Sequence, residues 1–159
     1  MNLTGARTAH ERARLLVGDV LAAASLPEPG RLIDVGSGNG SPGLVFALLR
    51  EDLDVVLLEP RAKRWAFLRE AARVAGPARP VSVIRSRHDG YFGPPARTVT
   101  LRALALPLQE LASLVEPGGR VLVLGGRPQA EAPFVAVKIG PHPTGDTRLF
   151  QRADVPRET

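Results

Sequence analysis

The sequence predicts an α/β fold, a single doubly wound and mostly parallel sheet with a closing C-terminal hairpin. Three observations carry that prediction. Short apolar runs alternate with stretches of helical periodicity through most of the chain, and strands alternating with helices require a largely parallel sheet covered on both faces. A glycine-rich loop, Gly36-Ser37-Gly38-Asn39-Gly40, stands directly between the first apolar run and a helical segment. The last apolar segments instead alternate with small or polar residues across a Pro/Gly turn, as an antiparallel pair does.

The elements follow in order. Thr8 with Glu11 three residues later has the form of a capping box, and Leu16, Val20 and Ala23 recur at helical spacing, so an amphipathic helix is expected over about 10–24. Pro27, Pro29 and Gly30 end it, and 31–35 reads as a short buried strand. After the glycine loop, Ser41 and Pro42 suit an N-cap and a first helical position, with helix over 44–49. Strand 54–58, helix 61–75 closed by Gly76 and Pro77, and strand 81–85 complete a β-α-β-α-β run. Strand 98–104, a helix at about 108–115, the Pro117-Gly118-Gly119 turn and strand 120–124 come next. Alternation at Val135, Val137 and Ile139, with 147–152 beyond the turn, gives the hairpin. We expect one domain over 1–159, divided into an N-terminal helix and linker (1–30), a ligand-binding core (31–126) and the hairpin (127–159).

Composition excludes several classes of function. There is no cysteine, and the three histidines (His10, His88, His142) are scattered, which argues against a disulfide framework and a metal site. No stretch approaches the roughly 20 apolar residues of a membrane span, and Arg7, His10, Glu11, Arg12 and Arg14 interrupt the start. A cytoplasmic protein that makes no membrane contact, and a monomer, is expected. The net charge is +5, compatible with a polyanionic partner. Nineteen of the 21 basic residues are arginine, as a GC-rich genome alone would also give. The placement of charge says more. Between Pro60 and Arg79 there are six cations, Arg61, Lys63, Arg64, Arg69, Arg73 and Arg79, against one anion, Glu70. Either this is a solvated helix face or it faces phosphates. Trp65 and Phe67 read as packing residues on the same helix.

Open parallel sheets bind ligands beyond the carboxyl ends of their strands, at the switch point. The loop after the first strand is therefore the default site. Glycines at alternate positions let the backbone turn sharply and approach a ligand without an intervening Cβ. The spacing is Gly-x-Gly-x-Gly followed by Ser41, which departs from the Gly-x-Gly-x-x-Gly of dinucleotide sites. It resembles the loop that class I methyltransferases wrap around S-adenosyl-L-methionine. Glu59 ends the second strand, where an acid can accept from both ribose hydroxyls or stand as a solvated strand end. Asp89, past the third strand, is placed to accept from an adenine amine or is a plain loop acid. Asp34 lies inside an apolar run, where burial demands hydrogen bonds. It supports the loop amides or faces a ligand amine.

The runs Asn2-Leu3-Thr4, Ile33 through Leu44, Leu57 through Arg64 with Phe67-Leu68-Arg69, and Arg102-Ala103 with Pro117-Gly118-Gly119-Arg120 resemble the RsmG (GidB) family of bacterial 16S ribosomal RNA guanine-N7 methyltransferases. The likeness runs from residue 2 to about residue 126. It implies a Rossmann-like class I methyltransferase fold, S-adenosyl-L-methionine as cofactor, and ribosomal RNA or the small ribosomal subunit as partner. By the resemblance, cofactor contacts fall on Gly36, Ser41, His88 with Asp89, and Arg102. The loop reading adds Asp34, Ser37, Gly38, Gly40 and Glu59. Arg61, Lys63 and Arg64 are the candidate RNA contacts. The chain departs from the family pattern at Leu16, Val20, Ser41 and Gly125. Guanine N7 carries an in-plane lone pair, so no general base is nominated. A related enzyme for a small molecule or another RNA, and an idle cofactor- and RNA-binding module, are the alternatives.

Overall fold

The computed structural model describes residues 8, 11, 14–140 and 146–154, with backbone only at 14 and 15. His10, His142 and the Asn2-Leu3-Thr4 motif lie outside the described residues. Thr8 and Glu11 form the expected capping box. Glu11 N donates to Thr8 Oγ1 at 3.1 Å, and Thr8 N donates to Glu11 Oε2 at 3.3 Å. The helix beyond it is not regular throughout: among the described residues Arg14–Gly18 is a π-helical turn, and Asp19–Ala22 (α1) returns to the α form. Val20 and Ala23 are fully buried, as the spacing requires.

Seven strands form one sheet: β1 (Gly30–Val35), β2 (Leu53–Leu58), β3 (Ser82–Ile84), β4 (Ala96–Arg102), β5 (Val115–Leu124), β6 (Phe134–Val137) and β7 (Thr147–Arg152). Their order is β3-β2-β1-β4-β5-β7-β6. Strands β1 to β5 are parallel, and β7 inserts antiparallel between β5 and β6. The chain builds outward from β1 to β3, then crosses over to β4, so the switch point lies between β1 and β4. Helices α2 (Gly43–Leu49) and α3 (Ala62–Ala75) follow β1 and β2. Gly76, at φ 58°, closes α3 in the left-handed conformation that an L side chain disfavours.

The pleat sorts the core into two layers. Ile33, Val35, Val56, Leu58, Val121 and Val123 face one side with Leu108, Leu111 and Leu114. Leu32, Val55, Leu57, Leu122 and Leu124 face the other with Val20, Phe46 and Leu68. Three expectations are corrected. The segment expected as a helix over 108–115 is a 3₁₀ helix, Leu108–Leu114. Residues three apart eclipse in that form, which turns all three leucines into the sheet. Strand β5 starts at Val115 and carries the Pro-Gly-Gly turn as an irregularity within it. Its register with β4 shifts between Ala96 and Thr98. Phe67, read as a packing residue, is 54% exposed.

The start of α2 also differs. Pro42 occupies the N-cap position with no side-chain cap, and Ser41 Oγ donates to Leu16 O, away from the helix end. The orphan amide of Gly43 instead donates to Asp34 Oδ2 at 3.2 Å, so a buried strand carboxylate does the capping. No side chain fits at residue 43. A Cβ there would lie 2.4 Å from Leu57 Cδ2 and 2.6 Å from Asp34 Cβ and Oδ2. Gly43→Ala should therefore destabilise the protein by about 1 to 3 kcal/mol through overpacking, despite alanine's better helix propensity. Urea unfolding of the two proteins checks this, and equal midpoints would contradict it.

Candidate active site

The carboxyl ends of β1, β2 and β4 converge beside the glycine loop, and Asp34 anchors that corner. It sits opposite Thr100 in the β1–β4 register. Thr100 Oγ1 donates to Asp34 Oδ1 at 2.6 Å, and Gly43 N occupies the other oxygen. The expected contact to loop amides is thus made at the helix start. Within the loop, Ser37 Oγ donates to Asp34 O at 3.1 Å, Ser37 N to Leu58 O at 3.0 Å, and Gly40 N to Ser37 O at 2.7 Å. Gly36, Gly38 and Gly40 all have positive φ, at 66°, 52° and 96°. The alternate glycines are needed because three residues in five must turn left-handed.

Glu59 is buried at the end of β2. Its Oε2 accepts from Gly38 N and its Oε1 from Arg61 N, both at 3.1 Å. The acid is therefore a buried hub that holds the loop to the start of α3, and the solvated-strand-end alternative does not describe it. Arg102, at the end of β4, is part-buried. Its Nη2 donates to Ser41 Oγ at 3.1 Å, and its Nη1 lies 3.7 Å from Asp19 Oδ2. Burial lowers the guanidinium pKa from its usual value, with Asp19 and Asp34 opposing. Ser41, Arg102, Asp19 and the Leu16 carbonyl form one cluster joining the N-terminal helix to the loop.

A hollow of about 160 Å³ opens beside the loop, lined by Val35, Gly36, Pro60, Ser86, Arg87, His88, Leu104 and Leu106. His88 is buried, with Nε2 2.9 Å from Glu110 Oε2. Asp89 is exposed and its carboxylate lies 3.5 Å from Arg87 Nε, so its side chain stands outside that lining. Arg61 and Lys63 are exposed and Arg64 partly so. Arg64 reaches toward the loop, with Nη1 3.9 Å from the position of a Cβ on Gly38. Leu104 and Leu106 went unnoticed in the sequence. The signal was their place, just beyond the β4 end at the switch point. Leu104 folds over Gly36, where a Cβ would meet Leu104 Cδ1 at 2.6 Å, and the preceding Ala103 takes a positive φ of 48°. Among the described residues no group of three His, Asp or Glu could hold a metal, and no helix is long and apolar enough to cross a membrane.

The fold is that of the S-adenosylmethionine-dependent methyltransferases. The RNA methyltransferase from Salinibacter ruber, crystallised with S-adenosyl-L-homocysteine, superposes with a TM-score of 0.66 at 20% identity, over 97% of this chain and 98% of that one. A methyltransferase from Geobacter sulfurreducens, also with S-adenosyl-L-homocysteine, gives 0.56 at 25% identity, over 67% and 47%. The family model for rRNA small subunit methyltransferase G (GidB) matches residues 1–133, and the chain belongs to that family. The proteins named ribosomal RNA small subunit methyltransferase G from Acidothermus cellulolyticus and Streptomyces avermitilis are 47% and 42% identical to it. Those matches cover 65% and 71% of this chain and 47% and 49% of the relatives. The chain thus spans about half the length of these relatives.

Burial pushes the Asp34 pKa from 3.8 up to about 6, against the lowering effect of the hydrogen bonds from Thr100, Ser37 and Gly43 and of the Arg102 charge. The folded state therefore holds this proton more tightly than the unfolded chain. The resulting stabilisation is complete below pH 3.8 and is lost as pH rises to about 6, amounting to about 3 kcal/mol. Asp34→Asn keeps an acceptor for Gly43 and has nothing to titrate. Urea unfolding across this range should show a stability decline in the parent protein that is smaller in the variant by about that amount. Parallel pH profiles would contradict the assignment.

Proposed function

We propose that this chain is the cofactor-binding and catalytic portion of a methyltransferase that uses S-adenosyl-L-methionine to methylate guanine N7 in 16S ribosomal RNA. The observation that carries the reading is the family match over residues 1–133, which spans the whole corner where the left-handed glycines meet Glu59. The residues fit the cofactor. Gly38, where a Cβ would meet nothing nearer than 3.7 Å, leaves its backbone open to a ligand, and a buried carboxylate beside it suits paired hydroxyls. When bound, S-adenosyl-L-methionine supplies an electrophilic methyl group on a sulfonium.

In this reading Gly36, Ser37, Gly38 and Gly40 receive the aminoacyl portion with backbone groups, Asp34 holds the loop closed, and Ser41 and Arg102 face the carboxylate. Glu59 exchanges its bonds to the Gly38 and Arg61 amides for the ribose hydroxyls. His88 borders the adenine, and Asp89 exchanges its pairing with Arg87 for the adenine amine. Arg61, Lys63 and Arg64 hold phosphates. The acceptor nitrogen has its own lone pair, so the protein's work is alignment. Well-oriented intramolecular reactions reach effective molarities of about 10⁵ to 10⁸ M. A base within folded RNA must also be unstacked, at a cost of a few kcal/mol. We further infer that 1–159 acts as one domain and as a monomer in the cytoplasm, on ribosomal RNA or the small subunit. The departures at Ser41 and Gly125 favour one second reading, a module that binds cofactor and RNA without transferring methyl. Mapping N7-methylguanosine in ribosomal RNA from cells with and without the gene separates the two.

Calorimetry should detect S-adenosyl-L-methionine and S-adenosyl-L-homocysteine binding and no nicotinamide or flavin dinucleotide binding. Gly38→Val should abolish it, and Glu59→Ala should weaken it by about 1.5 to 3 kcal/mol, the scale of hydrogen bonds to a charged group. An unchanged affinity in Glu59→Ala would remove the acid from the ribose. Replacing Arg61, Lys63 and Arg64 together by glutamine should weaken RNA binding. It should flatten the salt slope by about 0.7 to 0.9 per lost contact, with cofactor affinity unchanged. RNA binding with the original slope would return the cluster to solvent.

A further inference from the structure

The positive charge of the chain is concentrated beyond the helix face described above. Between Pro60 and Arg87 stand eight cations and one acid, Glu70, whereas the remaining residues carry thirteen cations against fifteen acids. This stretch is α3, β3 and their exits, and β3 is the outermost strand of the sheet. The edge formed by α3 and β3 is therefore strongly cationic.

That edge contains a groove of about 440 Å³ between α3 and β3, larger than the hollow beside the glycine loop. Arg69 and Arg73 line it together with Pro77, Pro80, Val81 and Val83. Arg69 and Arg73 also border an adjoining hollow of about 400 Å³ beside Trp65. Trp65 Nε1 donates to Val83 O at 3.2 Å, which fixes the indole, and the Arg69 guanidinium lies 4.9 Å from its ring centre. Arg73 meets Glu70 at 2.5 Å with both side chains largely exposed, a pair worth little in water and readily exchanged for a phosphate. The cations make a continuous track. Arg61, Lys63 and Arg64 stand at the amino end of α3. Arg69 and Arg73 follow over a helix about 21 Å long, and Arg79 lies beyond its carboxyl end. Arg85, whose Nε is 3.4 Å from Pro60 O, and Arg87 bring the track back to the hollow beside the loop.

We propose that the α3–β3 groove is a second RNA-binding site, which holds a single-stranded segment flanking the methylated base with its phosphates on Arg69, Arg73 and Arg79. The inference rests on the RNA reading above. A groove of ligand size lined by arginines and apolar side chains offers charge to phosphates and apolar surface to unpaired bases, which a duplex keeps stacked inside. Arg73 is paired with Glu70 and Arg87 with Asp89, and the six remaining cations of this edge repel one another in a way that a polyanion relieves.

The test uses the full chain, a short single-stranded RNA of mixed sequence and the duplex of the same sequence. Fluorescence anisotropy is followed across a potassium chloride series. R69Q/R73Q/R79Q should bind the single strand about tenfold or more weakly and flatten its salt slope by about 2, at about 0.7 per phosphate contact. The single strand should bind the parent protein more tightly than the duplex. R69K/R73K/R79K should keep the slope, because a phosphate contact needs the charge, and E70Q should tighten binding. S-adenosyl-L-homocysteine affinity and the thermal midpoint should not move in any variant. The proposal is overturned if the glutamine variant keeps the parent's slope and affinity. It is equally overturned if the lysine variant loses as much as the glutamine one, or if the duplex binds better. Absence of RNA binding by the parent protein at every salt concentration would instead remove the RNA reading itself, and this site with it.

Discussion

The corner of the sheet depends on one buried carboxylate. Asp34 joins three elements at once: it lies on β1, takes the hydroxyl of Thr100 from β4, and takes the first free amide of α2. The glycine loop leaves the sheet one residue after Asp34 and re-enters regular structure at Gly43, so a single side chain ties together both ends of the loop. An apolar residue at 34 would pack into the sheet but leave the Gly43 amide and the Thr100 hydroxyl unsatisfied in a dry interior, which is costly. Burying the acid instead carries a desolvation cost visible in its raised pKa. Gly43 follows from the same constraint, since the carboxylate occupies the space of its Cβ.

A second tie reaches outward. Ser41 joins the Leu16 carbonyl to the Arg102 guanidinium, and Asp19 stands on the other side of that guanidinium. Two positions at which the chain departs from its family pattern, Leu16 and Ser41, thus meet in one cluster. A side chain without a hydroxyl at 41 could not join the helix backbone to Arg102. The serine makes a polar bridge between the N-terminal helix and the β4 end. Glu59 makes the matching tie on the opposite side of the loop, through the amides of Gly38 and Arg61.

The parallel core was legible because its signals are local. Apolar runs at β1, β2 and β5 and the capping pair Thr8 and Glu11 need nothing from distant residues to be read. The alternate glycines were legible for the same reason, since their spacing already implies a sharp turn. What escaped depended on partners far along the chain. Ser41 looks like a helix cap until Asp34 takes the amide. The 3₁₀ form of Leu108–Leu114 is set by the sheet that its leucines must reach. Leu104 lies over Gly36 only because β1 and β4 are neighbours. Phe67 stands beside the buried Leu68 on α3 but is 54% exposed, since neighbours on a helix point about 100° apart.

The uneven charge of the chain acts well before any contact is made. With a cationic edge along α3 and β3 and more acids than cations among the other described residues, the positive charge lies to one side of the sheet. In the field of a polyanion such a body experiences a torque as well as an attraction, and the torque turns the α3–β3 edge toward the strand during diffusion. Arg87, which lines the hollow beside the glycine loop, belongs to that edge. Approaches are thereby biased toward orientations that bring the loop near the strand, and the bias weakens as salt shortens the Debye length from about 30 Å at 0.01 M to about 10 Å at 0.1 M. On the RNA reading proposed above, the arrangement raises the fraction of collisions that are usable without demanding any sequence-specific contact at the moment of encounter.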